Sequence, residues 1–366
     1  MTCSECQDEY RGYLKFLPST RHWTCSIHLV NISLDQPSER LHRVSVVVPV
    51  FSGEQTLPNL VEEISELTTA NESPAGHRFQ IIELFLVWDC GPDASDDVIR
   101  DLAKQYPWLR AIWLSKNFGQ HAATLAGMAS TSGDWIVTLD EDGQHNPQHI
   151  GKMLDVAIQT SSQLIYASPT NAPPHGLSRN LASSITKWIY NRLVPSSQRI
   201  TFHSYRLVLG EIGRAIAAYC GPDVYLDVAF GWVVRRTSYC PVELRNEGRP
   251  SSYSTKNLVS HFWRMVISSG TRPLRIVTIT GIFTALLGFL LAITLAVRRV
   301  FAQIPVQGWT SNAVLALVIG GITIGSLGVI AEYVGSAVKM AMGKPQYLLI
   351  RDPQESPIGS SNIKHG

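Results

Sequence analysis

Two stretches near the carboxyl end constrain this chain more than anything else in it. Residues 276–297 contain no charged side chain, and neither do residues 310–331. Each is about the twenty apolar residues needed to cross the hydrocarbon core of a bilayer. Gly281 and Gly288 in the first, and Gly320, Gly321, Gly325 and Gly328 in the second, suit helices that pack closely in lipid. The pattern predicts a two-span hairpin. Arg264, Arg272 and Arg275 precede it, Lys339, Lys344 and Arg351 follow it, and the short connection holds Arg298 and Arg299. The positive-inside rule puts both ends in the cytoplasm, which makes the chain a multi-pass protein of the cell (inner) membrane. Just upstream, Leu258, Phe262, Met265 and Val266 share one helical face while Lys256 and Arg264 lie off it, the pattern of an amphipathic helix along the membrane surface.

Ahead of the membrane segments, in a chain of 366 residues, there is room for a large soluble domain. Apolar, β-branched runs at 44–51, 79–87, 111–114, 135–139 and 163–167 read as buried strands. Pro49 belongs at the end of its strand. Between them, Leu57, Leu60, Val61, Ile64 and Leu67 fall at helical spacing, and small residues predict a helix over 122–130. Further helices are expected from Ser95, as a cap with Asp96 and Asp97 behind it, and from Pro147. Strands alternating with helices predict an α/β domain built on a parallel sheet with right-handed crossovers. No Gly-x-Gly-x-x-Gly follows the first strand and no Walker-type loop occurs, which argues against a dinucleotide dehydrogenase or a P-loop ATPase.

A net charge of +2 argues against nucleic-acid binding. Six cysteines in a chain this long form no disulfide framework, and Cys3 and Cys6 have no second Cys/His pair to complete a zinc site. Residues 1–43 carry no readable pattern and no apolar leader core.

The chemistry concentrates after the strand at Trp135. It stops at Asp140, and Asp142 and Gln144 follow, with Gly143 and Pro147 breaking regular structure. In an extended segment Asp140, Asp142 and Gln144 would project to one side and Glu141 to the other. Two carboxylates and an amide oxygen on one face suit Mg²⁺ or Mn²⁺ holding a diphosphate. Open α/β sheets bind ligands beyond the carboxyl ends of their strands, where this turn lies.

With these residues in view, the chain resembles the family-two glycosyltransferases that charge polyprenyl phosphate, such as dolichol-phosphate mannose synthase and the bacterial undecaprenyl-phosphate glucosyltransferases. The resemblance runs from Val44 to Arg351. It is carried by Val48-Pro49-Val50-Phe51, by Asp89, and by Leu114-Ser115-Lys116-Asn117-Phe118-Gly119-Gln120-His121. Asp140-Glu141-Asp142-Gly143-Gln144 and Thr271-Arg272-Pro273-Leu274 complete it. It implies a GT-A (Rossmann-like), mostly parallel sheet domain followed by an interfacial amphipathic helix and two transmembrane helices. The corresponding boundaries are an extension at 1–43, the GT-A domain at 44–255, the interfacial helix at 256–272, the hairpin at 273–345 and a cytoplasmic tail at 346–366. It further implies a nucleoside-diphosphate sugar, most naturally a UDP-sugar, bound near Pro49, Glu54, Asp89, Lys116 and Asn117, with Asp89 at the base. Asp140, Asp142 and Gln144 would hold the metal and diphosphate, with Asp140 and Asp142 catalytic. Arg206, Arg179, Arg245, Ser252 and Tyr253 would meet the phosphate of the lipid acceptor.

Three positions depart from the family pattern. Trp88 stands where an acid often precedes Asp89, and Ser52-Gly53-Glu54 replaces Asn-Glu-Glu after the first strand. Phe202, His203 and Ser204 replace acids ahead of Arg206, removing the obvious general base. A phosphate monoester with a second pKa near 6 is already largely dianionic at cytoplasmic pH, so no base is required. The expected activity is metal-dependent, inverting transfer of a sugar, glucose by default, to undecaprenyl phosphate. A non-catalytic scaffold with a degenerate domain is the alternative. A processive synthase would need a Gln-x-x-Arg-Trp motif, absent here. Glycine-rich spans also permit homo-oligomers.

Overall fold

The computed structural model describes residues 40–171, 203–222, 224–245, 272–302, 308–355 and 357. The domain is assembled on β1 (His42–Val50), whose side chains from Val44 onward are buried, as a continuous apolar run requires of a strand covered on both faces. It pairs in parallel with β3 (Arg78–Trp88) on one side and β5 (Trp135–Thr138) on the other. β4 (Leu109–Leu114) extends the parallel set beyond β3, and the short β2 (Asn71–Glu72) lies antiparallel on β3. Pro49 sits opposite Val87, two residues past the last β5 pair at Val47. Its missing N–H therefore costs no ladder bond on that side.

The crossovers are α1 (Leu57–Ser65), α2 (Ser95–Gln105), α3 (Gln120–Ala129) and α4 (His149–Thr160). The two faces of the sheet follow from the period of two along a strand. Val46 and Val48 pack with Leu57, Val61, Ile99 and Met153, whereas Val47 packs with Ala123, Ala126 and Met128. In α1 the buried positions Leu57, Leu60, Val61 and Ile64 repeat at helical spacing, and removing each from water contributes about 1.5–3 kcal/mol. Helix α3 is built of small residues because it lies close against β1. A Cβ at Gly127 would fall 2.3 Å from a Val47 methyl.

The expected strand–helix alternation is present, with one correction. Ser95 does not cap α2: the N-cap is Ala94, without a side-chain cap bond. The Ser95 hydroxyl instead donates to Asp93 (2.6 Å) and accepts the Gly53 N–H (2.8 Å), binding two loops together. The sheet is mostly parallel, as expected. Beyond β5, β7 (Arg206–Leu209) runs antiparallel between β5 and β6 (Leu164–Pro169), and β8 (Thr237–Val242) lies parallel to β6. The result is a mostly parallel, mixed sheet in the order β8-β6-β7-β5-β1-β3-β4, with α5 (Gly210–Tyr219) and α6 (Leu226–Val233) beside α3.

Two long helices follow, α7 (Arg272–Ala302) and α8 (Trp309–Ala341). Among the described residues, Val318–Ala341 in α8 is the one stretch both long and apolar enough to cross a membrane, and none of its 24 residues is buried. It is about 36 Å long at 1.5 Å per residue, against a hydrocarbon core of about 30 Å. Helix α7 holds a shorter apolar stretch, Val277–Leu290. The amphipathic helix expected at 256–272 lies almost wholly outside the described residues.

The carboxyl-terminal segment, read from sequence as a tail, is part of the sheet. β9 (Leu349–Ile350) pairs antiparallel with β4, Trp113 opposite Ile350 and Leu114 opposite Leu349. A two-residue strand has no periodicity to read, which is why it escaped. At the other end, β1 takes in His42 and Arg43, previously counted with the extension.

Candidate active site

The chain leaves β1 for β3 and β4 on one side, then returns to place β5 on the other. The loops after β1 and β5 therefore leave the carboxyl ends of two adjacent strands, the edge at which open α/β sheets bind ligands in a crevice. Glu141 ties the two loops together: its carboxylate accepts the N–H groups of Phe51 (2.8 Å) and Ser52 (2.9 Å). Burial pushes its carboxyl up to about 7, against those two N–H groups and with help from the charges of Asp93 and Asp140.

Asp140 is held from three directions. The Gln120 amide donates to Oδ1 (2.6 Å), the Ser204 hydroxyl donates to Oδ2, and its own N–H donates to His145 Nδ1 (3.0 Å). Burial raises its carboxyl, while Ser204, His203, Arg206 and Gln120 favour the ionised form, in that order. His145 is stacked on Tyr205 at 4.9 Å and 5.4 Å from His203. Burial pushes both histidines down to about 4, so both are neutral near pH 7. His203 Nδ1 accepts the Tyr205 N–H (3.3 Å). With each Nδ1 acting as acceptor, each ring carries its proton on Nε2.

The remaining acidic-turn residues stand together for a different reason from the one expected. The segment after β5 is not extended: Gly143 has φ of +75° and Asp142 Oδ1 accepts the Gln144 N–H at 3.1 Å. Asp140, Asp142 and Gln144 therefore share a tight turn, and strand alternation does not govern where they point. Gly143 supplies the left-handed backbone that the turn needs.

Asp89, expected at the nucleotide base, spends its carboxylate on the protein. It accepts the N–H groups of Phe118 (2.7 Å) and Gly119 (2.8 Å). Burial raises its carboxyl to about 6 despite those two bonds. It thereby shapes the loop carrying Lys116 and Asn117, both exposed, with the Lys116 ammonium 5.2 Å from the Phe118 ring centre. Trp88, the departure beside it, is a core residue packed edge-on to Trp113 at 5.8 Å. Its change from an acid therefore leaves the crevice untouched. Glu54 is exposed and accepts the Ala94 N–H (3.2 Å), while its own N–H donates to Asp93 (3.1 Å).

The basic residues are also engaged. Arg206, expected on a loop and free for phosphate, begins β7 and is 3% exposed. Its guanidinium pairs with buried Asp227, its Nε donates to Thr138 Oγ1 (3.1 Å), and it lies 5.8 Å from the Phe230 ring centre. Asp227 also accepts the Tyr166 hydroxyl (2.8 Å). Arg245 pairs through Nη1 with both oxygens of Glu63 (2.7 and 2.9 Å), and its N–H donates to the Gln144 carbonyl (3.1 Å). It borders the acidic turn as a charge already partnered. Arg179, Ser252 and Tyr253 lie outside the described residues.

Sequence reasoning missed Gln120, Glu141, Ser204 and Asp227 as site residues. Gln120 and Ser204 stood inside the quoted motifs but are neutral, and Asp227 lies in an apolar helix with no pattern around it. Among the described residues no three His, Cys, Asp or Glu side chains form a self-sufficient metal cage. The hard oxygen donors of the turn still fit Mg²⁺ or Mn²⁺, which commonly takes one or two carboxylates and completes its shell with water and substrate phosphate.

Residues 45–217 match the model of Glycosyl transferase family 2. The undecaprenyl-phosphate 4-deoxy-4-formamido-L-arabinose transferase of Yersinia enterocolitica is 28% identical over 317 residues, covering 85% of this chain and 94% of the relative. The transferase of the same name from Serratia proteamaculans is 29% identical over 324 residues, covering 87% and 96%. Among solved structures, glucosyl-3-phosphoglycerate synthase from Mycobacterium tuberculosis, in complex with Mn²⁺, UDP-glucose and phosphoglyceric acid, aligns at a TM-score of 0.44 with 16% identity over 63% of this chain and 79% of that one. Mannosyl-3-phosphoglycerate synthase from Rubrobacter xylanophilus aligns at 0.45 with 15% identity over 64% and 74%. The stretch that matches Glycosyl transferase family 2, residues 45–217, is the one that carries the mostly parallel sheet and the acidic turn after β5.

Proposed function

We propose that this enzyme transfers a sugar from a nucleoside diphosphate to the phosphate of a polyprenyl lipid, at the cytoplasmic face of the membrane that its carboxyl-terminal helices enter. The observation that carries the reading is the 2.6 Å hydrogen bond from Gln120 to Asp140. It joins the loop read as donor-binding to the turn read as diphosphate-binding, so both serve one crevice. The membrane-length stretch in α8 supports a lipid acceptor. The domain plan is catalytic residues 44–255, a surface helix at 256–272 and a hairpin at 273–345.

In this reading Asp142 and Gln144, with Asp140 behind them, would hold Mg²⁺ or Mn²⁺, which when bound offsets the charge that builds on a departing diphosphate. Lys116 and Asn117 meet the donor, on a loop that Asp89 shapes. The lipid phosphate attacks the anomeric carbon as a dianion, which removes the need for an acid in place of Phe202, His203 or Ser204. The protein's task is alignment, the term that converts two bound reactants into one oriented pair. Arg206 and Asp227 stay paired beneath the site and stiffen it. Arg245 exchanges its partner Glu63 for the lipid phosphate, to which a guanidinium offers a fork of donors. The names of the relatives favour 4-deoxy-4-formamido-L-arabinose over glucose as the sugar to test first, on a UDP carrier.

The test is incubation of purified protein, with Mn²⁺ or Mg²⁺, with undecaprenyl phosphate and a panel of UDP- and GDP-sugars, reading glycolipid by mass spectrometry. A product from one donor, abolished by chelator and by Asp142→Asn, is the expected outcome. An unimpaired Asp142→Asn would remove the metal assignment. Nucleotide-sugar binding without product from any donor would favour a non-catalytic membrane scaffold.

A further inference from the structure

The carboxyl-terminal segment does more than end the chain. Ser115, the first residue of the loop after β4, donates its N–H to the Leu348 carbonyl at 3.0 Å. That bond continues the β4–β9 ladder directly into the loop that carries Lys116 and Asn117. The far end of the same loop, Phe118 and Gly119, is held by Asp89. The loop is thus pinned at both ends, once by the sheet and once by a segment that follows the membrane helices.

A two-residue strand is too short to hold itself in place. Its fixing comes from Arg100, which is buried, lies 5.0 Å from the Trp113 ring centre and donates from Nε to both oxygens of Asp352 at 2.9 Å. Pro353 is buried beside it, and Gln354 donates to Asp97 at 2.9 Å. At the other end of the segment, the Gln346 amide donates to the Gly221 carbonyl, and Gly221 lies against Met340 near the end of α8. Seven residues separate α8 from β9, a reach of about 25 Å at most. The end of the membrane helix and the start of the loop are therefore joined by a short strap fastened at both ends.

We propose that residues 346–355 are a positioning strap for the nucleotide-sugar donor and that Asp352 is a positioning residue for donor binding, acting through Arg100 and the Leu348–Ser115 bond. The proposal rests on the reading of residues 115–119 as the donor loop. It makes donor affinity depend on a side chain that does not touch the donor, and it ties the loop's geometry to the membrane anchor.

Asp352→Ala tests it in the full-length protein reconstituted in lipid. The variant keeps the fold, because Arg100 retains Asp96 (3.1 Å) and Asp97 (2.7 Å) as partners. Three quantities are read: amide hydrogen exchange over 113–119, UDP affinity in the presence of Mn²⁺, and the KM for undecaprenyl phosphate. The expected result is faster exchange over 115–119 and UDP binding weakened about tenfold, with the lipid KM unchanged, since small displacements of positioning groups cost that much or more. Asp352→Glu, which can still reach Arg100, should recover most of the affinity. Unchanged exchange overturns the strap, and faster exchange with unchanged UDP affinity overturns its role in donor binding. If the wild-type protein binds neither UDP nor GDP, the donor reading itself has failed. The exchange comparison then shows separately whether the strap holds the loop.

Discussion

The Ser204 hydroxyl donates to the Asp140 carboxylate, a bond between residues 64 positions apart in sequence. It fastens the acidic turn after β5 to the antiparallel strand that lies beside it. From Ser204 the connection continues: Thr138 Oγ1 donates to the Ser204 carbonyl (2.5 Å), Arg206 donates to Thr138, and Asp227 holds Arg206 and Tyr166. The acid at the floor of the crevice is therefore set by a buried polar network, each member of which is satisfied by the next.

Ser204→Ala removes the group that contributes most to keeping Asp140 ionised. Its carboxyl then rises further, so the acid limb of the pH profile of kcat/KM should move to higher pH. The expected fall in kcat at pH 7 is about tenfold or more, the scale of a hydrogen bond to a charged group. A profile that superimposes on the wild type would detach Ser204 from the chemistry.

Asp227→Ala leaves the Arg206 guanidinium buried without its carboxylate. Breaking one side of such a pair costs about 3–5 kcal/mol, whereas replacing both partners by apolar residues is often neutral. Thermal unfolding should therefore show a large loss for Asp227→Ala and recovery of most of it in Arg206→Met/Asp227→Leu. The double variant should still be slow, because Asp140 loses the nearby positive charge.

Gly91→Ala should be among the most damaging small substitutions in the domain. A Cβ there would lie 1.6 Å from the Phe51 carbonyl oxygen, and backbone cannot step aside as a side chain can. At Gly53 the nearest atoms are side-chain atoms, a Glu141 carboxylate oxygen at 2.8 Å and Leu57 Cγ at 3.0 Å, which can give way by stretching the Phe51 and Ser52 bonds to Glu141. Gly91→Ala should cost about 3 kcal/mol or more and Gly53→Ala about 1 kcal/mol, within the range for overpacking. Comparing expression and melting temperature of the two variants checks the order.

Stability near neutral pH should carry the mark of Glu141. Its folded pKa of about 7 lies above the ordinary 4.5, so its contribution is fully present below about pH 4.5 and is lost as pH rises through 7. His145 and His203, lowered to about 4, run the opposite way between about pH 4 and 6.5. The comparison must therefore be with Glu141→Gln, which leaves the histidines in place. Wild type should lose melting temperature relative to this variant from about pH 4.5 to 7 and hold level above that. Parallel curves would show that Glu141 titrates like an exposed carboxyl.

The parallel half of the fold was legible because its signals are local. The run at Val44, the helical spacing of Leu57, Leu60, Val61 and Ile64, and the stop at Asp140 each report on their own neighbourhood, and the strands and first helix stand where they were expected. The geometry of the acidic turn was not legible, since nothing in Asp142-Gly143-Gln144 distinguishes a short extended stretch from a left-handed turn. Asp89 and Arg206 were singled out in the sequence but not read as engaged by other parts of the protein. Their partners, the N–H groups of Phe118 and Gly119 and the carboxylate of Asp227, are brought to them only by tertiary packing. Trp88 looked like a loss at the site because one dimension cannot show that its side chain turns into the core.

Strand β9 has a consequence for how the protein is made. A ribosome delivers β4 long before β9, with both long helices, α7 and α8, between them, and domains begin to fold as they emerge. Until those helices are synthesised, β4 is an unpaired edge strand, the kind of surface that invites other chains to add to it. Completion of the sheet is thus tied to completion of the two long helices that precede β9, and a chain cut short before β9 would carry an open edge in place of a finished fold.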